Sequence, residues 1–362
     1  MHFIELTMAL FRHSTRNLRR PLSNTTVRLF AVDTSTSSAF DRELKSKQRD
    51  NAARAHKVWK GGEDVVDYNY FRKEMAYRLV DRLDDIKRTE GFPLALDIGA
   101  GSGYIHQAIC ADDAFEGDGG IGGVKKLVQL EYSEEMLNRD KDDEIEGSHR
   151  CESYRLAADE EGSLPFPDGT FDLVLSSQSI HWVNDLPGLF KEVKRVLKPD
   201  GCFMFSMIGG ATLPELRISM VLAELEREGG VGAHVGPFVE LSDVGSLLQS
   251  AGFSLPTIDI DTVRISYPNA PVLMEHLQRM GEGNASLRRR TYTGKDVFLA
   301  AASVYDEMFQ MDSGEENGEP EIEASAQVIF AIGWSPHSSQ QQPDQRGSAQ
   351  HKVGDIVTKH SG

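Results

Sequence analysis

Asp97-Ile98-Gly99-Ala100-Gly101-Ser102-Gly103 constrains this chain more than any other stretch. It follows the apolar run Leu94 to Leu96 and precedes the helix-patterned Tyr104 to Cys110, so it reads as a tight turn from a buried parallel strand into a helix. Backbone N–H groups and the positive end of the helix meet there, which suits an anionic or polar ligand. Glycine is needed because a Cβ would block the ligand's approach. A dinucleotide fingerprint would require glycine where Tyr104 stands, so the NAD pattern is broken.

Around this turn the chain alternates. Residues 40–55 and 69–88 read as helices, the second from the spacing of Phe71, Met75, Leu79, Leu83 and Ile86. Strands are expected at 94–98, 124–131, 153–157, 171–176 and 202–207, with helices at 104–110, 133–140 and 186–197, the last stopped by Lys198-Pro199-Asp200-Gly201. That alternation predicts a doubly wound α/β sheet. Residues 112–123 hold five glycines and four acids and read as a polar insertion; residues 312–323 hold six acids and read as a solvated loop before a strand at 327–334. Residues 210–250 and 268–311 are helical in pattern and flank a strand near 256–266. The expected organisation is a leader over 1–32, N-terminal helices over 33–92, a main domain over 93–335 with a helical cap at 210–250 and 268–311, and a flexible tail over 336–362.

Charge and composition narrow the partners. The chain carries 39 Lys and Arg against 56 Asp and Glu, a net charge of −17, whereas nucleic-acid binders neutralise phosphates with clustered cations, so no nucleic acid is expected. The charge is uneven: residues 1–32 hold Arg12, Arg16, Arg19, Arg20 and Arg28 against the acid Glu5, giving +4 there and −21 elsewhere. Such a start fits a mitochondrial import presequence cut near Ala31; a merely basic start is the alternative. Cys110, Cys151 and Cys202 form no CxxC pair and read as reduced thiols. None of the eleven histidines is followed two residues later by Asp or Glu, so the local start of an iron facial triad is missing and no metal is expected.

A strand, D-x-G-x-G-x-G, and an acid ending the next strand form the pattern of S-adenosylmethionine-binding Rossmann-like domains. Glu131 fills that acid position and would accept the ribose hydroxyls. Asp97, Gly99, Gly101 and Gly103 form the turn, and Asp159, beyond the third strand, either faces the adenine or belongs to an exposed acidic loop. The segments Leu164 to Val174 and Leu197 to Gly201 are the approaches to the fourth and fifth strands of this superfamily, so the expected fold is α/β, a Rossmann-like class I methyltransferase fold with helical cap insertions. His181 follows the fourth strand at the sheet edge where ligands bind; it is a candidate general base or a structural histidine, and Trp182 reads as a pocket wall.

The runs Phe40 to Arg42, Ala52 to Arg54, Ser176 to Pro187, Gly209 to Arg217, Ala223 to Gly230, Met280 to Asn284, Ile332 to Trp334 and Arg346 to Ala349 resemble the mitochondrial complex I assembly factor 5 family. More distantly the chain is similar to malonyl-carrier-protein methyltransferases of biotin synthesis. The first resemblance implies a protein-arginine hydroxylase on a methyltransferase scaffold, with S-adenosylmethionine bound and a separate oxidant. It implies an Fe–S-carrying complex I subunit and other assembly factors as partners, and peripheral contact with the matrix side of the inner membrane. Methyl transfer to a protein or carrier-bound acid, and a non-enzymatic assembly chaperone, stand as alternatives. Glu215 and Glu282 in the expected cap are the candidate carboxylates for a substrate guanidinium.

Overall fold

The apolar run before the glycine turn forms β1 (Leu94–Ile98), an inner strand of an eight-stranded sheet in the computed structural model, which describes residues 38–59, 66–86, 88–111, 119–311 and 320–341. The expected leader, residues 112–118 of the insertion and residues 342–362 of the tail lie outside the described residues. Among the described residues, the helices α1 (Arg42–Trp59) and α2 (Tyr70–Asp81) precede β1; α3 (Tyr104–Cys110) and β2 (Lys126–Glu131) follow it. Asp41 caps α1, its Oδ1 accepting from the Leu44 N–H at 2.9 Å. The chain continues through α4 (Glu134–Leu137), β3 (Glu152–Ala157), β4 (Phe171–Ser177), α5 (Leu186–Val196) and β5 (Leu197–Ile208). Then come α6 (Pro214–Glu228), α7 (Leu241–Ala251), β6 (Ser254–Tyr267), α8 (Ala270–Arg279), α9 (Lys295–Phe309), β7 (Gln310–Met311) and β8 (Glu321–Trp334).

Strand order is β3-β2-β1-β4-β5-β8-β6, the first five parallel and β8 and β6 antiparallel. Residues 95–98 of β1 are fully buried because both faces of the sheet are covered. Ala95 packs with α2 and α3 through Met75, Leu79, Ile105 and Ile109, while Leu96 and Ile98 pack with α5 and α7 through Phe190, Val193, Val244 and Leu248. Phe203 sits in an aromatic nest, with ring centroids 5.3 Å from Phe190, 4.7 Å from Phe205 and 5.7 Å from Phe253.

One feature of the topology positions the cap. β5 ends at Ile208, opposite Val328, but β6 and β8 stay paired as far as Tyr267 and Ile322, so a two-stranded ribbon overhangs the C-terminal edge of the parallel strands. Against it α6, α8 and α9 bury Met220, Ala223, Leu273, Val297, Ala301 and Tyr305.

Several elements differ from expectation. β8 begins at Glu321, not 327: Ile322 is buried while Glu321 and Glu323 face outward, an alternation hidden in the sequence by the acids around it. β5 starts at Leu197, so Lys198 to Gly201 lie within a strand that pairs irregularly with β4 between Phe171 and Leu173. The helix expected at 133–140 is one turn, because Arg139 turns inward to bond Asp140, Ser102 and Tyr104. The helix expected over 69–88 stops at Asp81, with turns over 82–86. The end of the Gly/Asp insertion is core: Ile121 is buried, and a Cβ on Gly91 would stand 2.7 Å from the Gly122 carbonyl oxygen. Finally, α7 covers the sheet face instead of belonging to the cap.

Truncating Phe203 to Ala empties the centre of the aromatic nest and is expected to destabilise the fold by about 3–5 kcal/mol. Urea unfolding of wild type and Phe203→Ala checks this; a change below about 1 kcal/mol would mean that the nest is loosely packed.

Candidate active site

The glycine turn takes the left-handed conformation its residues allow, with φ of +69° at Gly99, +57° at Gly101 and +97° at Gly103. Ser179 also needs Gly99, since a Cβ there would lie 2.0 Å from its Oγ. Around Gly101 the space is open apart from Arg72 Nη1, 3.8 Å from the Cβ position. Asp97, at the end of β1, is completely buried, and neither of its carboxylate oxygens has a hydrogen-bond partner. Burial, then the charge of Glu131, pushes its pKa well above the usual carboxylate range.

Glu131 ends β2 as expected, but its carboxylate is already engaged. Oε2 accepts from the Gly101 N–H at 3.0 Å, and Oε1 accepts from the Ser133 N–H and from Arg49 Nη1, each at 2.9 Å. Arg49 comes from α1, is 2% exposed, and donates its Nη2 to Ser179 Oγ at 2.9 Å. Arg42, Lys45 and Arg49 are spaced by three and four residues, so one face of α1 carries three cations into the cleft. Arg42 Nη2 lies 2.9 Å from Asp159 Oδ1 and 2.8 Å from Glu160 Oε1, and Glu160 is fully buried. Burial opposes the charge of Glu160, yet Arg42 and Arg49 hold it below its ordinary pKa. Lys45 donates Nζ to the carbonyls of Gly281 at 3.1 Å and Gly283 at 2.8 Å, and lies 3.4 Å above the Trp182 ring.

Beyond the strand ends, under the cap, lies a cavity of about 920 Å³ lined by Leu213, Leu216, Met220, Phe238, Leu273 and Met274 among others. Its polar end is built from the fourth-strand loop and the 280–294 loop. Glu282 accepts from Trp182 Nε1 at 2.9 Å, pairs with Arg72, and has His181 Nε2 3.8 Å from its Oε2. Burial raises Glu282 and Arg72 lowers it, the second winning, so it stays well below the usual carboxylate range. Burial holds His181 below its ordinary pKa against the pull of Glu282, and both its ring nitrogens are buried without a hydrogen bond. Gln178 sits in the left-handed region at φ +53° with Oε1 buried and unpartnered.

The structure therefore brings Asp97, Gly99, Gly101, Gly103, Glu131 and Asp159 to one edge of the sheet, and sets His181 and Glu282 at the end of the adjoining cavity. Glu215 is placed elsewhere: its carboxylate accepts from the Ser325 hydroxyl at 2.6 Å and ties α6 to β8, outside the cavity lining. Sequence reasoning missed Arg42, Lys45, Arg49 and Arg72; the i, i+3, i+7 spacing in α1 was the available signal, but a cationic stripe ordinarily faces water. Among the described residues, no three His, Cys, Asp or Glu side chains converge on a metal position.

Residues 96–205 match the methyltransferase domain family, so fold and site define a protein of Rossmann-like methyltransferase architecture. The chain is 41% identical over 319 residues to "Arginine-hydroxylase NDUFAF5, mitochondrial" of Danio rerio, spanning 88% of this chain and 89% of that protein. It is 43% identical over 318 residues to the protein of the same name in Rattus norvegicus, spanning 88% and 83%. A malonyl-[acyl-carrier protein] O-methyltransferase of Methylovorus is 30% identical over 277 residues, 75% of this chain and 85% of that one. Among solved structures, the YcgJ protein of Bacillus subtilis superposes with a TM-score of 0.45 at 19% identity, spanning 73% of this chain and 99% of that one. The chain belongs to the NDUFAF5 family of mitochondrial arginine-hydroxylases.

S-adenosylmethionine is the cofactor this fold implies, and the residues fit it in kind: a glycine turn open at Gly101, an orphaned buried carboxylate at Asp97, and acids at Glu131 and Asp159. The void at the turn is only about 20 Å³, bounded by Arg72, Ala76, Asp97, Gly99 and Gly101, so side chains must give way for a nucleoside to enter.

Glu131→Ala leaves Arg49 buried and unpaired, and is expected to lower stability by about 3–5 kcal/mol, whereas removing both charges in Arg49→Met with Glu131→Met restores most of it. Thermal and urea unfolding of the single and double variants read this; equal losses in both would show that the pair is not the cause. Burial pushes the Lys45 ammonium from 10.5 down to about 7, against Glu282 and with Arg49, Arg72 and Arg42 adding to the shift. The unfolded chain then binds more protons than the fold between about pH 7 and 10.5, so this group makes stability rise with pH across that window. Lys45→Met is expected to flatten that rise in unfolding measured across the same window.

Proposed function

We propose that this chain hydroxylates an arginine of an Fe–S-carrying subunit of complex I during assembly of that complex, on the matrix side of the mitochondrial inner membrane. The observation that carries the reading is 41–43% identity, over 88% of the chain, to proteins named mitochondrial arginine-hydroxylases. The site's chemistry supports it. Glu282 is an anion in a shielded place, and a guanidinium entering such a place needs a carboxylate partner. Gln178 Oε1 is an unused acceptor, and neutral His181 offers another beside it, so a planar guanidinium would find several acceptors at one end of an apolar cavity. The cavity walls suit the apolar neighbours of an arginine in a protein segment.

S-adenosylmethionine belongs to this reading as a bound cofactor, held by Asp97, the glycine turn, Glu131 and Asp159. When bound, it supplies a sulfonium and an amino-acid end to a cleft rich in carboxylates. Gly99, Gly101 and Gly103 let backbone approach it, and Asp97 supplies two buried carboxyl oxygens without a partner. Other assembly factors, and peripheral contact with the inner membrane, complete the proposal; among the described residues no helix is long and apolar enough to cross a membrane.

The test is deletion of the protein from cells, followed by mass analysis of arginine-containing peptides of early complex I subunits. One such peptide is expected to lose the mass of one oxygen, to regain it with wild type, and not with Gly101→Val, where a branched side chain would be forced into the left-handed region. A peptide that loses a methyl group instead would establish methyl transfer, and failed assembly without any mass change would establish a chaperone.

A further inference from the structure

Arg72 separates two spaces. On one side it lines the small void at the glycine turn with Asp97, Gly99 and Gly101; on the other it lines the large cavity with Glu282 and His181. Its guanidinium pairs with Glu282 and donates from Nη2 to the Met280 carbonyl at 3.3 Å, while Nε is buried without a partner. Nη1 reaches toward the turn, 3.8 Å from where a Cβ on Gly101 would stand. In the same void both oxygens of Asp97 are buried and unpartnered. A buried carboxyl with no partner and a guanidinium with an unused donor, lining one small space, are complementary to a zwitterion whose ammonium and carboxylate sit on one carbon, the ammonium supplying the cation that Asp97 lacks. The amino-acid end of S-adenosylmethionine is such a group.

Resting on the cofactor and arginine readings above, we propose that Arg72 is an exchangeable partner: it leaves Glu282 for the carboxylate of the bound cofactor's amino-acid end, and so frees Glu282 for the guanidinium of a substrate arginine. Glu282 needs a cation in either state, because an unpaired carboxylate in that place carries a large desolvation penalty. Trp182 Nε1, 2.9 Å away, holds Oε2 while the partner on Oε1 changes. Gln178 Oε1 stands at the same end of the cavity to accept from the incoming group. Cofactor and substrate then bind with positive coupling, each raising the affinity of the other by the same factor.

Calorimetry on the full chain reads this coupling, with S-adenosylhomocysteine as the cofactor probe and N-acetylarginine amide as the guanidinium probe. 5′-Methylthioadenosine, which lacks the amino-acid end, is the control. S-adenosylhomocysteine is expected to raise affinity for the arginine probe by about five- to a hundredfold, and methylthioadenosine to leave it unchanged. Arg72→Met is expected to bind the arginine probe tightly without S-adenosylhomocysteine, to lose the coupling, and to bind S-adenosylhomocysteine about tenfold more weakly. Glu282→Gln, by releasing Arg72, is expected to bind S-adenosylhomocysteine more tightly and the arginine probe weakly in every condition. These two variants move cofactor affinity in opposite directions, which a general loss of folding cannot imitate. Equal affinity of wild type for the arginine probe with and without S-adenosylhomocysteine overturns the proposal. So does an equal effect of methylthioadenosine, coupling that survives in Arg72→Met, or no binding of the arginine probe in any condition. The hydroxylase reading fails separately, by a methyl mass change or none on the cellular peptide while the coupling is intact.

Discussion

Glu131 and Arg49 meet at 2.9 Å with both side chains almost wholly out of water, and the rest of the site is arranged around that pair. Three neighbouring strands end in or lead to buried acids: Asp97 near the end of β1, Glu131 at the end of β2 and Glu160 beyond β3, each with no exposed surface. Carboxylates so close cannot all ionise in a low-dielectric place unless cations are brought to them. Arg49 and Arg42 of α1 bring them to Glu131 and Glu160, while Asp97 has no partner and is held well above the usual carboxylate range. Phe40 fixes that helix in place: its ring lies 5.1 Å from Trp182 at a steep angle, and its N–H, with that of Ala39, donates to Asn184 Oδ1. The segment before the glycine turn is therefore a wall of the site, not an appendage to the fold.

The cavity follows from a different constraint, the mismatch in length between β5 and the pair β6 and β8. The extra residues of the ribbon have one face that the parallel strands do not cover, and Ile265, Tyr267, Ala324 and Ala326 on it line the cavity. Helices α6, α8 and α9 close over that face without filling it. The loop between α8 and α9 then delivers Glu282 to the open end, next to the strand-end loop that carries His181 and Trp182.

How much of this was legible follows from what a local pattern can encode. The turn, β1, β2, β4 and Glu131 were readable because a buried parallel strand, a glycine turn and a strand-end acid are contiguous signals. The partner of Glu131 was not, since Arg49 is 82 residues away and looks like any cation on a surface helix. Glu215 and Glu282 look alike in sequence, both acids in the expected cap. Only the fold separates them, because Glu215 faces the Ser325 backbone and hydroxyl while Glu282 faces the cavity. The acids at 321 and 323 misled for the opposite reason: their charge concealed a strand whose other face is core.

A methyltransferase architecture in a family of arginine-hydroxylases is less contradictory than it sounds, because the fold fixes where a ligand lies and not what is done to it. What the parallel sheet supplies is a set of buried carboxylates at strand ends, held at known spacing by backbone. What the cap supplies is an apolar-walled cavity at whose end one further carboxylate, Glu282, is held well below the usual carboxylate range, against its burial, by Arg72. Neither device depends on a methyl leaving group. Both depend on cations set beside buried acids: Arg49 on Glu131 at the glycine-turn edge, and Arg72 on Glu282 where the turn's void meets the cavity, so the same kind of pairing serves a fold whose chemistry at the bound ligand can differ.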